Sequence, residues 1–160
     1  MQDTIFRAIH PAICYIGVAF YWRQAVTFTR TTEYALRALG YMASREGEML
    51  SADQLHAKLK IPKKYLQRLL TDLKRSGLLK SERGRNGGFT LSRGTADITL
   101  AEIVHAVEGR RQPPECFFGF AKCALDVPCA MHDVWMRSQN TVREALHTTR
   151  LADIAGTTLR

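Results

Sequence analysis

No apolar run in this chain of 160 residues reaches the roughly 17–25 residues that a membrane-spanning helix needs. Ala12 to Trp22 comes nearest, between Pro11 and Arg23, and stops short. As a secretion signal it is poor, because its small-x-small triplet, Gly17-Val18-Ala19, lies inside the apolar run rather than after it. The sequence also lacks a phosphate-binding glycine loop, a dinucleotide fingerprint, internal repeats and low-complexity tracts. His105 and Glu108 stand three apart on one predicted helix, which is an ordinary surface pairing. A cysteine protease would need a larger fold and a placed histidine. Catalysis finds no support, and an enzyme is not expected.

Acidic side chains are scarce where bases crowd. From Lys58 to Arg93 the chain carries eleven lysines and arginines, opposed only by Asp72 and Glu82. That segment is +9 within a chain of net charge +8, so the remainder is close to neutral. Such concentrated charge is the footprint of a polyanion partner, double-stranded DNA foremost. A solvated basic face with no partner is the plain alternative.

Taken in order, residues 1–26 look foreign to the rest of the chain. They read either as an extra helix packed on the domain or as a stretch outside the native chain, with translation starting at Val26. Thr31 to Ser44 reads as a helix, with Thr32 as its N-cap and Tyr34, Ala35, Ala38, Leu39 and Met42 as its apolar stripe. Ser51-Ala52-Asp53-Gln54 is a capping box that opens a second helix, which Ile61-Pro62 breaks. A third helix runs from Lys63 to Ser76 and stops at Gly77. It turns Leu66, Leu69, Leu70 and Leu73 inward and leaves Lys63, Lys64, Gln67, Arg68, Lys74 and Arg75 outside.

A short helix, a tight turn and a basic helix make a helix-turn-helix. Two strand-like runs come next, Leu78 to Arg83 and Phe89 to Ser92, joined by Arg85-Asn86-Gly87-Gly88. A basic hairpin in this place is a wing, with Arg83 and Arg85 at the tip, able to reach phosphates or a narrow minor groove. A second capping box, Thr99-Leu100-Ala101-Glu102, opens a helix that Gly109 ends. From Met131 to about Thr149 a long helix carries Val134, Trp135, Val142, Ala145 and Leu146. Having little core of its own to join, it is expected to pair with a second copy of itself; folding back on the winged domain is the alternative. Leu151 to Ile154 forms a last short turn.

Of the four cysteines, Cys14 stands alone and Cys116, Cys123 and Cys129 cluster, with His132 close behind. A disulfide set would leave one clustered thiol unpaired, so the group suits a ligand set in a reducing cytosol. Thiolates select zinc, copper(I) or iron–sulfur clusters. No pair here has the C-x2-4-C spacing usual for structural zinc, and longer gaps suit a larger object such as a cluster. Zinc and a metal-free thiol switch remain open on spacing alone. Phe117, Phe118, Phe120 and Trp135 could shield such a site from water, or simply anchor the loop.

Four stretches together resemble a known family. They are Thr31-Thr32-Glu33-Tyr34-Ala35-Leu36-Arg37-Ala38-Leu39, Ile61-Pro62-Lys63-Lys64-Tyr65-Leu66, Arg83-Gly84-Arg85-Asn86-Gly87-Gly88-Phe89, and the cysteine triad. The family is that of the IscR/NsrR-type winged-helix repressors, the Rrf-two family of bacterial regulators. The resemblance runs from about Thr27 to Ile154. It implies a cytoplasmic homodimer on a pseudo-palindromic operator, with an iron–sulfur cluster (2Fe-2S or 4Fe-4S) in each subunit that sets operator affinity in response to nitric oxide, redox conditions or iron–sulfur supply. Cys116, Cys123 and Cys129 would be ligands, with His132 or Glu33 of the partner subunit as the fourth. Lys64, Gln67 and Arg68 would lie on the recognition helix, and Arg83 would be the wing arginine. The first cysteine gap, six residues where five is familiar, leaves the cluster type open, and residues 1–26 depart from the family pattern.

The expected fold is mainly α with a small β-hairpin: a winged helix-turn-helix domain plus a long C-terminal dimerisation helix. In segments, residues 1–26 are an extension, 27–109 the DNA-binding domain, 110–132 the cysteine loop, and 131–155 the dimerisation helix with its terminal turn.

Overall fold

Thr29 sets where the first helix begins. The computed structural model describes residues 28–84, 87–109, 116–118 and 129–155; the expected N-terminal extra helix lies outside them. Helix α1 spans Arg30–Ala43. Thr29 keeps an extended backbone, its hydroxyl accepts the Thr32 amide at 3.4 Å and its carbonyl accepts the Glu33 amide at 3.0 Å. The sequence pattern put the cap at Thr32, and the two threonines satisfy the local rule equally. The choice is made from elsewhere: Glu108 accepts hydrogen bonds from the Thr29 amide and hydroxyl, both at 3.0 Å, and from the Thr32 hydroxyl. Thr32 is therefore drawn into the first turn and wholly buried.

Ala35, Ala38, Leu39 and Met42 form the inward face of α1. Helix α2, Ala52–Leu59, opens on the capping box: the Ser51 amide donates to Gln54 at 2.7 Å and the Gln54 amide to the Ser51 hydroxyl at 3.2 Å. Helix α3 spans Lys63–Arg75 and buries Leu66, Leu69, Leu70 and Leu73, each contributing about 1.5–3 kcal/mol relative to exposure. Between α2 and α3 the chain turns at Lys60, in the left-handed region at φ 57°, a conformation costing about 1–2 kcal/mol for a residue with a Cβ. The turn is fastened on both sides of Lys60. Arg37 of α1 donates to the Leu59 carbonyl at 2.9 Å, and His56 Nδ1 lies 2.6 Å from the Ile61 carbonyl.

The wing is an antiparallel hairpin of β1, Leu79–Glu82, and β2, Gly88–Leu91, with Leu79 facing Leu91 and Glu82 facing Gly88. It does not stand alone. Leu50, at the end of the turn between α1 and α2, exchanges two 2.9 Å backbone hydrogen bonds with Phe89. This contact explains Gly88: a Cβ there would sit 2.7 Å from the Leu50 backbone.

A 3-10 turn at Thr95–Asp97 leads to α4, Leu100–Glu108, which opens on the Thr99–Glu102 capping box and ends at Gly109. Helix α5, His132–Thr148, packs on α4 yet buries only Trp135. Its tail does return to the winged domain: Leu100 donates to the Thr149 carbonyl at 3.1 Å and Leu151 to the Ile98 carbonyl at 2.8 Å. The short α6, Leu151–Ile154, then places Leu151 in the core and packs on α1. The long helix thus folds back on the winged domain through α4 and through its tail, while most of its own surface stays uncovered in this chain.

Gly88→Ala should destabilise the fold by about 1–3 kcal/mol, because the neighbour it meets is backbone and cannot swing aside. Denaturant unfolding measures this, and a loss below about 0.5 kcal/mol would show that the wing relaxes around the methyl group.

Candidate functional site

The outer side of α3 is set by its inward leucines. With those four buried, Lys64, Gln67 and Arg68 stand in solvent, Arg68 with 87% of its side chain exposed. Lys63 is also exposed but engaged, its ammonium 2.5 Å from Asp53 of α2. Asp72 lies beside Arg75 at 3.6 Å and at the limit of contact with Arg68 at 4.0 Å. Such exposed pairs are weak, so these cations stay available to a stronger anion. Arg83 is exposed where the wing leaves β1; Arg85 lies outside the described residues.

Two residues that the sequence pattern passed over fix how this helix is presented. Tyr65 sets its hydroxyl 2.5 Å from the Thr31 hydroxyl and its ring edge-on to Tyr34 at 5.5 Å. Arg37 stands over the Tyr34 ring while it holds the Leu59 carbonyl. Both fasten the helix-turn-helix to α1. Tyr65 lies off the leucine stripe, and Arg37 looks like any surface base, so neither carries a periodic signal.

The base of the wing is held by Arg93, 2.6 Å from Glu102 of α4. Burial pushes the Glu102 carboxyl up, but the Thr99 amide, Arg93 and the Thr99 hydroxyl together outweigh it and hold the group below its ordinary value.

Of the cysteine motif, Cys116, Cys129 and His132 lie within the described residues. Cys116 is buried, with 7% of its surface exposed. The neighbouring Phe117 ring packs edge-on against Trp135 at 5.6 Å and against Phe118 at 5.4 Å. Cys129 is half-buried and its carbonyl accepts the His132 amide at 2.9 Å, which starts α5. The Phe117–Trp135 contact therefore carries Cys116 toward the turn that holds Cys129 and His132. Cys123 lies outside the described residues, and among the described residues no three Cys, His, Asp or Glu side chains converge on one point. Glu33 sits in the first turn of α1, more than half exposed and 3.7 Å from Arg37. Cys129 and His132 stand together at the start of α5, and Cys116 is joined to that helix only through its neighbour Phe117; thiolates and an imidazole are donor types that suit a soft metal or an iron–sulfur cluster.

Residues 28–157 match the family model of Rrf2, described as an iron-dependent transcriptional regulator. The chain belongs to the Rrf2 family. An HTH-type transcriptional regulator of Mycobacterium tuberculosis is 33% identical over 126 residues, 78% of each chain. The HTH-type transcriptional regulator CymR of Bacillus subtilis is 30% identical over 78% of this chain and 86% of its own. Its solved structure, that of the global cysteine regulator of B. subtilis, superposes with a TM-score of 0.72 at 27% identity, over 83% of this chain and 98% of that one. The solved IscR of T. potens gives 0.65 at 25% identity, over 81% and 85%. The protein is thus a winged-helix regulator of the Rrf2 type, mostly helical with a two-stranded hairpin, and its relatives are transcriptional regulators and not enzymes. No helix among the described residues is long and apolar enough to cross a membrane.

Because the Glu102 carboxyl is held below its ordinary value of 4.5, its contribution to stability is present above that pH and is lost as pH falls through the folded-state value. The gap in melting temperature between wild type and Glu102→Gln should be widest above pH 4.5 and close on further acidification. A gap that stays constant across that range would remove the ionised carboxylate from the account.

Proposed function

We propose that this protein is a cytoplasmic homodimer that reads a pseudo-palindromic DNA operator, with an affinity set by an iron–sulfur cluster held by Cys116, Cys123, Cys129 and His132. The observation that carries the reading is the packing of Phe117 on Trp135, which draws the Cys116 segment to the start of α5, where Cys129 and His132 already sit. Residues 27–109 form the DNA reader, 110–132 the sensing loop, and 131–155 the dimerising helix. His132 is preferred as fourth ligand over Glu33 of the partner subunit, since it follows Cys129 by three residues at the start of α5.

On the DNA side, Lys63, Lys64, Arg83 and Arg85 meet phosphates, while Gln67 and Arg68 reach base edges in the major groove. Two protomers place two recognition helices about one helical turn apart. On the sensing side, a bound cluster supplies a centre that reacts with oxidants and nitric oxide. Trp135, buried in the first turn of α5, would limit water on its side of the ligands. The protein's own share of the mechanism is linkage: the DNA-holding and DNA-free dimers present the cysteine loop differently, so occupancy of the loop shifts the balance between them. A second reading, a metal-free thiol switch, draws on the partial exposure of Cys129, which leaves its thiol open to an oxidant.

Anaerobic purification tests the sensing half. A brown protein with broad visible absorption that bleaches with nitric oxide is expected, and His132→Ala should lose it while Glu33→Ala keeps it. A colourless protein with one zinc per chain, or one that only forms a disulfide with mild oxidant, would sink the cluster. Binding assays against duplexes of varied sequence test the reading half. Lys64→Ala should weaken binding to all sequences alike and lower the salt slope by about one unit. Arg68→Ala should cost about 1–3 kcal/mol on preferred sequences and little on others. Equal, sequence-blind losses for both would put Arg68 on the backbone.

A further inference from the structure

Thr32 is the one buried polar residue in the core of the described protein, and its hydroxyl is turned to Glu108. Glu108 is the last residue of α4; Gly109 comes next, and the chain leaves for the cysteine motif. The same carboxylate oxygen also takes the amide and hydroxyl of Thr29. One acidic side chain therefore ties the end of α4 to the first turn of α1, across more than seventy residues of sequence. A carboxylate at a helix N-terminus is electrostatically favoured, and hydrogen bonds to it are among the stronger ones.

The opposite side of that turn faces the DNA reader. Thr31, next to Thr32, meets the Tyr65 hydroxyl at 2.5 Å, and Tyr34 packs on the Tyr65 ring. One turn further on, Arg37 holds the Leu59 carbonyl at the helix-turn-helix bend. The first half of α1 thus has Glu108 on one side and the start of the recognition helix on the other. If Glu108 shifts, Thr29 and Thr32 shift with it, and Thr31 and Tyr34 carry the displacement to Tyr65.

We propose that Glu108 is a positioning residue that transmits the state of the cysteine loop, through Thr29 and Thr32, to the recognition helix at Tyr65. This rests on the sensing role proposed above. It goes further in naming the physical connection between loop and DNA reader, a contiguous set of hydrogen bonds and one ring contact.

The test uses full-length protein prepared anaerobically as wild type, Glu108→Gln, Thr32→Val and Thr32→Ser. The probe is a duplex recovered from a random-sequence library by the wild-type protein. Affinity is measured for each protein as isolated and after removal of iron by a chelator with the thiols kept reduced. Couplings of this kind amount to about 5–150-fold. Glu108→Gln and Thr32→Val should bring the ratio of the two affinities close to one, while visible absorption stays at the wild-type level. Thr32→Ser keeps the hydroxyl and should keep the ratio, and the Thr32 pair carries the test if Glu108→Gln does not fold.

Amide hydrogen exchange in the iron-free proteins gives a second readout that needs no loaded site. Exchange at Leu66, whose amide donates to Pro62 in the first turn of α3, should quicken in Glu108→Gln and Thr32→Val and not in Thr32→Ser. An unchanged affinity ratio in both disruptive variants, or faster exchange confined to the first turn of α1, overturns the role of Glu108. A wild-type ratio of one overturns the sensing role instead, and the exchange data then decide the mechanical link by themselves.

Discussion

Burial of one face of α1 is the interaction on which the rest of the described structure depends. Ala35, Ala38, Leu39 and Met42 are all but inaccessible, and α2, α3, α4, α6 and β2 each touch this helix. Two of those residues are alanines, and Gly40 lies beside Ile154 of α6, so neighbouring elements approach the helix axis closely. Small side chains give little transfer energy themselves, but they let the leucines of α3 and the Leu151 side chain share one core. In a domain of this size nearly all stability comes from one such core, so what orients α1 orients everything.

The outer face of α3 shows how the packing sorts the side chains of one helix. The leucines of α3 consume one side of the helix, and the bases fall on the other by elimination. The wing is braced twice, by the backbone exchange between Leu50 and Phe89 and by the ion pair between Arg93 and Glu102. A two-stranded hairpin is marginal in water without such support. Its exposed arginine is therefore carried on a framed element, which narrows the positions it samples before any contact with a nucleic acid.

Much of this was legible in the sequence where the governing interaction is local. The capping boxes at Ser51 and Thr99 are four-residue devices, and both formed as expected. The leucine period of α3 and the glycines of the wing also speak within one element. Legibility failed where a partner lies far along the chain. The choice of Thr29 over Thr32 as cap depends on Glu108, which read from sequence alone was only a surface acid. Tyr65 and Arg37 gave no periodic signal because their partners, Thr31, Tyr34 and the Leu59 carbonyl, are met only after folding. The cysteine spacing announced soft-ligand chemistry, but the aromatic contact that gathers Cys116 toward α5 joins two segments separated by the whole motif. The pairing of Thr99 with Arg150 has no sequence signature at all.

That last pairing closes a ring. The Thr99–Arg150 bridge, together with the hydrogen bonds from Leu100 and Leu151, clasps the two ends of a segment that contains α4, the entire cysteine motif and α5. The entropy lost in bringing those ends together grows only slowly with the length between them, and it is charged to folding of the winged core rather than to ligand capture. Both feet of the segment, at Thr99 and Arg150, therefore stand in the same core that carries α3, and the cysteine motif is held between two fixed points of the winged domain.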